Sequence, residues 1–251
     1  MRQASVGFQC PGCTSERPER VVRSATLFRG HSEVVVGKVI IGLNVAVWLL
    51  ATVVGGEPNS VAGAVYEHGV LFGPSVAHGD WWRVFSGAFM HSGVLHLGMN
   101  MMLLWFLSQE LEPALGRVRF AILYAVSLVG GSLGVLVISP LSPTVGASGA
   151  VFGLMGALIV LQLRARQNPW QSGIGGLVLI NLLLTFTIPN ISVGGHVGGL
   201  LAGAAAGAVL QPLRWPQEGA ALRSTAVVLF GVTLLVGAYA AAWLLASPPY
   251  Y

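Results

Sequence analysis

Ser148 stands between glycines in Gly146-Ala147-Ser148-Gly149, with a Pro-rich, uncharged turn before it (139–143) and an apolar run after it (150–163). That order places a hydroxyl at a helix N-terminus, where backbone N–H groups lack partners and the helix dipole is positive. The same position could cradle a developing oxyanion. A lone serine in an apolar helix usually bonds its own turn, so neighbouring groups decide between chemistry and packing. The first such group is His196, in Gly194-Gly195-His196-Val197-Gly198-Gly199. A histidine can take a serine proton as general base and return it to a leaving amine. The others are His96 and Asn100, four residues apart and therefore on one helix face. Their side chains offer donors that, with the Ser148 backbone N–H, would form an oxyanion hole.

These residues need positioning elements, and composition says what kind. Of 251 residues, 54% are hydrophobic and 9% charged, with 34 glycines. Soluble domains carry about 25% charged residues. The expectation is an all-α membrane protein, a polytopic helical bundle in which glycine is commoner than in soluble helices. Apolar runs predict spans at about 34–54, 94–111, 120–138, 148–163, 174–188, 194–210 and 225–245. The segment 55–93 is too long for a simple turn, and a loop of that size is usually functional or folded on itself. Its adjacent Trp81 and Trp82 suit a membrane interface. No signal peptide is apparent, and no second globular domain.

The formal charge of +4 is not a nucleic-acid signal; its distribution explains it. Arg2, Arg17, Arg20, Arg23, Arg29 and Lys38 precede or open the first span, Arg117 and Arg119 follow the second, Arg164 and Arg166 the fourth, and Arg214 and Arg223 the sixth. All fall on one side, and the other has only Arg83. The positive-inside rule then puts the N-terminus in the cytoplasm, and the C-terminus and the 55–93 loop outside. Residues 1–33 read as a cytosolic tail. Cys10-Pro11-Gly12-Cys13 is half a zinc knuckle, but a structural zinc needs four ligands and only His31 is an obvious third. No metal or cofactor is expected.

A helix rises 1.5 Å per residue, which puts Ser148 about 24 Å from the cytoplasmic face, His196 about 22 Å, His96 about 24 Å and Asn100 about 18 Å. The hydrocarbon core is about 30 Å thick, so four polar groups on three spans share one depth just below the outer surface. No Asp or Glu lies near that depth, so the expected unit is a dyad. Polar groups inside a membrane are costly and mark function. Span six carries Gly195, Gly199, Gly203 and Gly207 at a four-residue period, and span four carries Gly149, Gly153 and Ala157. Such ridges let helix backbones approach closely in lipid, and their contact would bring His196 to Ser148. Phe152, one turn below Ser148, could pack against the imidazole.

Trp82-Arg83, His91, His96-Leu97-Gly98-Met99-Asn100, Glu112 with Gly116, Gly146-Ala147-Ser148-Gly149 and Gly195-His196-Val197-Gly198-Gly199 together resemble the rhomboid intramembrane serine proteases. The resemblance runs in order over most of the chain. It implies a six-helix core with an added C-terminal span, within a transmembrane domain over 34–246. It implies Ser148 as nucleophile, His196 as base, and Asn100, His96 and the Ser148 N–H at the oxyanion site. Gly146, Gly149, Phe152, Gly195, Gly199, Trp82, Arg83, His91 and Glu112 take supporting roles. Trp82-Arg83 would be the structural motif of an outer loop lying partly in the membrane, Glu112 and Gly116 a stabilising turn at the cytosolic end of span two, and span five with the 186–192 loop a substrate gate. Two features depart from the pattern. Phe152 stands where some members have Tyr, and the tail resembles only the last part of a zinc-ribbon leader.

Implied partners are the lipid bilayer and single-span membrane proteins, cut within or near the outer part of the span, in a cell membrane. A competing reading is a proteolytically inactive rhomboid-like binder or chaperone of membrane clients. Such proteins typically lack the serine or the histidine, and both are present here. A solute transporter is disfavoured because there is no internal repeat of short broken spans and there are few intramembrane charges. Oligomeric state, physiological substrate and cleavage sequence are not written in the residues.

Overall fold

Long uncharged runs of Leu, Val, Ala and Gly satisfy their backbone hydrogen bonds in lipid within the segment when they are helical. The computed structural model describes residues 2–3, 8–9, 33–54, 63–210 and 219–246. Its contacts divide the chain into two units, Met1–His31 and Ser32–Tyr251. In the first, β1 (Arg2–Gln3) pairs antiparallel with β2 (Phe8–Gln9). Cys10, Cys13 and His31 lie outside the described residues.

The second unit is helical. It contains α1 (Val36–Val53), three short helices α2 (Ala64–Gly69), α3 (Gly73–Ala77) and α4 (Arg83–Ser86), and a 3-10 turn (Gly87–Phe89). Then come α5 (Val94–Leu115), α6 (Arg117–Ile138), α7 (Ser148–Arg164), α8 (Ile174–Thr187), α9 (Val193–Leu210) and α10 (Ala220–Ala246). Among the described residues each predicted span coincides with a helix. Among the described residues α1, α6, α9 and α10 are long and apolar enough to cross a membrane, and α7 and α8 are shorter apolar helices. The chain is a multi-pass membrane protein.

Burial separates the centre of the bundle from its rim. In the most apolar stretch of α6, 61% of residues are buried, against 17% in α10, so α6 is central and α10 is peripheral. The centre is cemented by small residues. A Cβ on Gly199 or Gly203 would strike the backbone of Gly149 or Gly153, and one on Gly207 would meet Ala157 at 2.8 Å. The α7 and α9 ridges thus mesh in register. The sequence reading anticipated these two helices; the structure adds a third. Gly130 and Gly134 of α6 oppose Gly198 and Gly194, and a Cβ on Gly131 would meet Gly149 Cα and Gly195 O at 3.1 Å. Three backbones therefore converge beside residues 148 and 196.

Segment 63–93 is built and stitched down. Leu71 N–H donates to Thr144 O (3.1 Å), Thr144 N–H returns to Leu71 O (2.9 Å), and Gly146 N–H donates to Gly87 O (2.9 Å). Ser132 Oγ on α6 donates to Val84 O (2.7 Å). Arg83 is the hub of the segment. Its Nε donates to Asp80 Oδ2 (2.8 Å), and one terminal nitrogen donates to Glu67 O (2.8 Å) and Val70 O (3.1 Å). Trp82 is 42% exposed and donates through Nε1 to His68 O (3.2 Å), so of the motif pair only Arg83 is buried.

At the opposite end, Glu112 does more than close a turn on its own helix. Its carboxylate accepts the N–H groups of Val35 (2.8 Å), Val36 (3.0 Å) and Gly37 (2.9 Å). These are among the orphan donors at the start of α1, and a negative charge suits the positive end of its dipole. Gly116, at φ +83°, then turns the chain from α5 into α6.

Candidate active site

Helix α7 begins at Ser148, so the N–H groups of its first turn have no carbonyl within the helix. The preceding Gly146 sits at φ +122°, a conformation that glycine adopts without strain. A Cβ there would also meet the His96 ring at 2.7 Å and Ser148 Oγ at 3.7 Å. The room that Gly146 leaves is therefore occupied by an imidazole of this chain.

His196 lies in the first turn of α9, buried. Its Nε2 is 2.8 Å from Ser148 Oγ. The Phe152 ring lies nearly parallel to the imidazole, with centroids 4.1 Å apart and an interplanar angle of 15°. On the other side, Nδ1 lies 2.7 Å from Oγ1 of Thr185 on α8. Among the described residues no Asp or Glu bonds this imidazole.

His96 and Asn100 share a face of α5, and Asn100 donates one amide N–H to His96 O (2.9 Å). Its amide has a second N–H to offer. The Ser92 backbone N–H donates to His96 Nδ1 (3.5 Å), and Ser92 Oγ lies 3.0 Å from the same atom. A backbone N–H can only donate, so Nδ1 accepts and Nε2 carries the hydrogen. His96 thus presents a donor on the side of Gly146 that Ser148 also faces. His91 lies beneath it, ring edge to ring face at 5.1 Å, and fully buried. Burial, and then the neighbouring His96, pull the His91 pKa down to about 4 against a backbone contact at Phe89. It stays neutral and accepts the Ala147 N–H through Nε2 (3.5 Å), bracing the turn before Ser148. Tyr66 in turn donates to His91 O.

A cavity of about 30 Å³ adjoins Ser148, with Gly131, Ser132, Thr144, Gly149 and Ser192 among its lining. That is room for a water molecule or two, and its hydroxyls would hydrogen-bond them. The assembly has the parts that acyl transfer needs: a hydroxyl on a helix start, an imidazole in contact with it, donors alongside and a small adjoining space.

A family model described as the Rhomboid domain matches residues 78–213, more than half of the chain. The chain belongs to the rhomboid family. Rhomboid protease GluP of Bacillus subtilis is 33% identical over 204 residues, 78% of this chain and 38% of that protein. The putative rhomboid protease YdcA of the same organism is 36% identical over 132 residues, 51% of this chain and 66% of its own length. RHOMBOID-like protein 5 of Arabidopsis thaliana is 35% identical over 155 residues, 57% of this chain and 48% of its own length. The chain thus spans between about a third and two thirds of these relatives.

The matched rhomboid segment holds Trp82, Arg83, His91, His96, Asn100, Glu112, Gly146, Ser148, Gly149, Phe152, Gly195, His196 and Gly199. Of these, Ser148, His196, Phe152, His96, Gly146 and the glycine ridges converge, and His91 lies directly behind. Arg83, Trp82 and Glu112 hold the surrounding scaffold. Two contacting residues were not foreseen. Ser92 orients His96, and its only sequence signal is its place four residues before that histidine. Thr185 touches His196, and its signal is weaker still, one hydroxyl in a leucine-rich helix.

Proposed function

We propose that this chain is an intramembrane serine protease that cuts single-span membrane proteins near the outer end of the span. The observation that carries the reading is the 2.8 Å approach of His196 Nε2 to Ser148 Oγ at the start of an apolar helix, in a member of the rhomboid family. His196 takes the Ser148 proton as Oγ attacks the scissile carbonyl carbon. The oxyanion that forms is met by donors from His96, Asn100 and the Ser148 backbone N–H. His196 Nε2 gives its proton to the leaving amine, which leaves an ester on Ser148. Water, deprotonated by the same nitrogen, hydrolyses that ester and restores the serine. A folded substrate helix hides its carbonyls, so the substrate unwinds locally, and small or helix-weakening residues favour this. The basic residues on one side support a cytoplasmic N-terminus, an outer C-terminus and a site opening outward in the cell membrane.

The test is labelling by a fluorophosphonate probe in liposomes, with product masses from a panel of single-span substrates. Wild type is expected to label and to release defined fragments; Ser148→Ala and His196→Ala do neither. Equal labelling of Ser148→Ala overturns the reading. Client co-purification without cleavage, unaltered in Ser148→Ala, would instead identify a binder.

A further inference from the structure

Resting on the proposed protease chemistry, we infer that Thr185 is a positioning residue that sets the tautomer of His196. Thr185 is buried on α8, and its Oγ1 has two neighbours within hydrogen-bond distance. One is the carbonyl oxygen of Asn181, one turn back, at 2.7 Å. The other is His196 Nδ1, also at 2.7 Å. A hydroxyl has one hydrogen to donate and two lone pairs with which to accept. A carbonyl oxygen cannot donate, so the Thr185 hydrogen goes to Asn181 O. Threonine makes this backward bond within a helix readily. The hydroxyl then has only lone pairs to show His196, and the ring must present Nδ1–H to it. A neutral imidazole carries one N–H, so Nε2 is bare. That bare nitrogen is the one 2.8 Å from Ser148 Oγ, and it is the form able to accept the serine proton.

With Nε2–H instead, the ring would donate to Ser148 and could not act as its base. Thr185 thus performs with a neutral hydroxyl the orienting task that a third, acidic residue performs in a triad. Its place on the helix adds weight. The buried residues of α8 are Ile174, Gly175, Val178 and Thr185. The first three anchor its beginning, while Leu179, Ile180, Leu183, Leu184 and Phe186 are exposed. Thr185 is therefore the one buried side chain in the far half of α8, and it is spent on the imidazole.

The test uses the full chain in liposomes with Thr185→Val, which keeps the shape and removes the hydroxyl, and Thr185→Ser, which restores it. Thr185→Val is expected to lower kcat by on the order of 10-fold with KM nearly unchanged, the loss of one orienting hydrogen bond, and Thr185→Ser to recover most of it. A second readout needs no turnover. In protein labelled with nitrogen-15 at its histidines, the His196 signal, assigned by its loss in His196→Ala, reports which ring nitrogen bears the hydrogen. Wild type and Thr185→Ser should show Nδ1–H, and Thr185→Val a mixture. An Nε2–H ring in wild type overturns the inference, as does unaltered kcat in Thr185→Val, or a serine variant no better than the valine one. If wild type labels no faster than Ser148→Ala, the protease reading fails, and the tautomer signal still decides this one.

Discussion

The contact between α7 and α9 is where a single methyl group should do the most damage. In Gly199→Ala the new Cβ would stand 2.7 Å from the carbonyl carbon of Gly149 and 3.1 Å from its Cα, closer still to its oxygen, where ordinary contact begins at 3.4 Å. Backbone cannot swing aside as a side chain can, so the helices must part by about 1 Å. Gly149 adjoins Ser148 and Gly199 lies one turn from His196, so the gap opens at the dyad itself. The 2.8 Å separation of Nε2 and Oγ would stretch to about 3.8 Å, beyond hydrogen-bond range. Misplacement of that size costs about 100-fold in rate. Gly149→Ala is the graded control. Its Cβ would meet Gly195 O at 3.1 Å and Gly131 Cα at 3.3 Å, which shifts of a few tenths of an ångström relieve. The assay is the second-order rate of fluorophosphonate labelling in liposomes, with thermal unfolding alongside to confirm a folded bundle. Gly199→Ala labelling within about threefold of wild type, or faster than Gly149→Ala, would refute the reasoning.

Glu112→Gln leaves one acceptor oxygen for the three N–H groups at the start of α1 and removes the charge that suits them. It should lower unfolding stability by about 1–3 kcal/mol, read as a reduced thermal midpoint, and an unchanged midpoint would show the cap to be idle. Phe152→Leu keeps bulk but not the stacked ring, and should slow labelling by about 2–10-fold, with no change counting against a role for the stack. His91 predicts a pH effect. In the folded protein it stays neutral down to about 4, whereas an unfolded histidine takes its proton near 6.5. The unfolded state binds more protons between those values, so the stability from neutral His91 is full above about 6.5 and declines as pH falls toward 4. Thermal midpoints measured over that window should fall less in His91→Gln than in wild type; equal slopes would remove His91 from the account.

The bundle was legible because lipid leaves a chain few options. Uninterrupted apolar runs become helices, and the ends of α7 at Ser148 and α8 at Ile174 follow from the turns before them. The approach of Ser148 to His196 was legible because glycine spacing carries distance information, since a ridge of small residues states where a backbone can come close. What escaped was information of other kinds. Glu112 reaches the start of a helix some 75 residues earlier, and nothing local in α5 says so. Gly130, Gly131 and Gly134 form a tighter, mixed cluster, which hides the third backbone in the junction. The short helices of 63–93 are too brief to show periodicity, and bonds to Thr144 and Gly146 complete them. Thr185 has no sequence signal beyond one hydroxyl in a leucine-rich helix, where a threonine ordinarily bonds its own turn. It does bond its own turn, and that bond gives its contact with His196 a direction.

The two halves of the dyad are separated by 48 residues of chain. Ribosomes add about 5–20 residues each second, so Ser148 is made about 2–10 seconds before its base. Through that interval the hydroxyl lacks His196, and the Gly199 face that fixes its distance does not yet exist. On the proposed mechanism the growing chain is therefore inactive over that interval. On that mechanism competence waits for α9, and a chain truncated before residue 196 is expected to be inert however well its earlier helices pack.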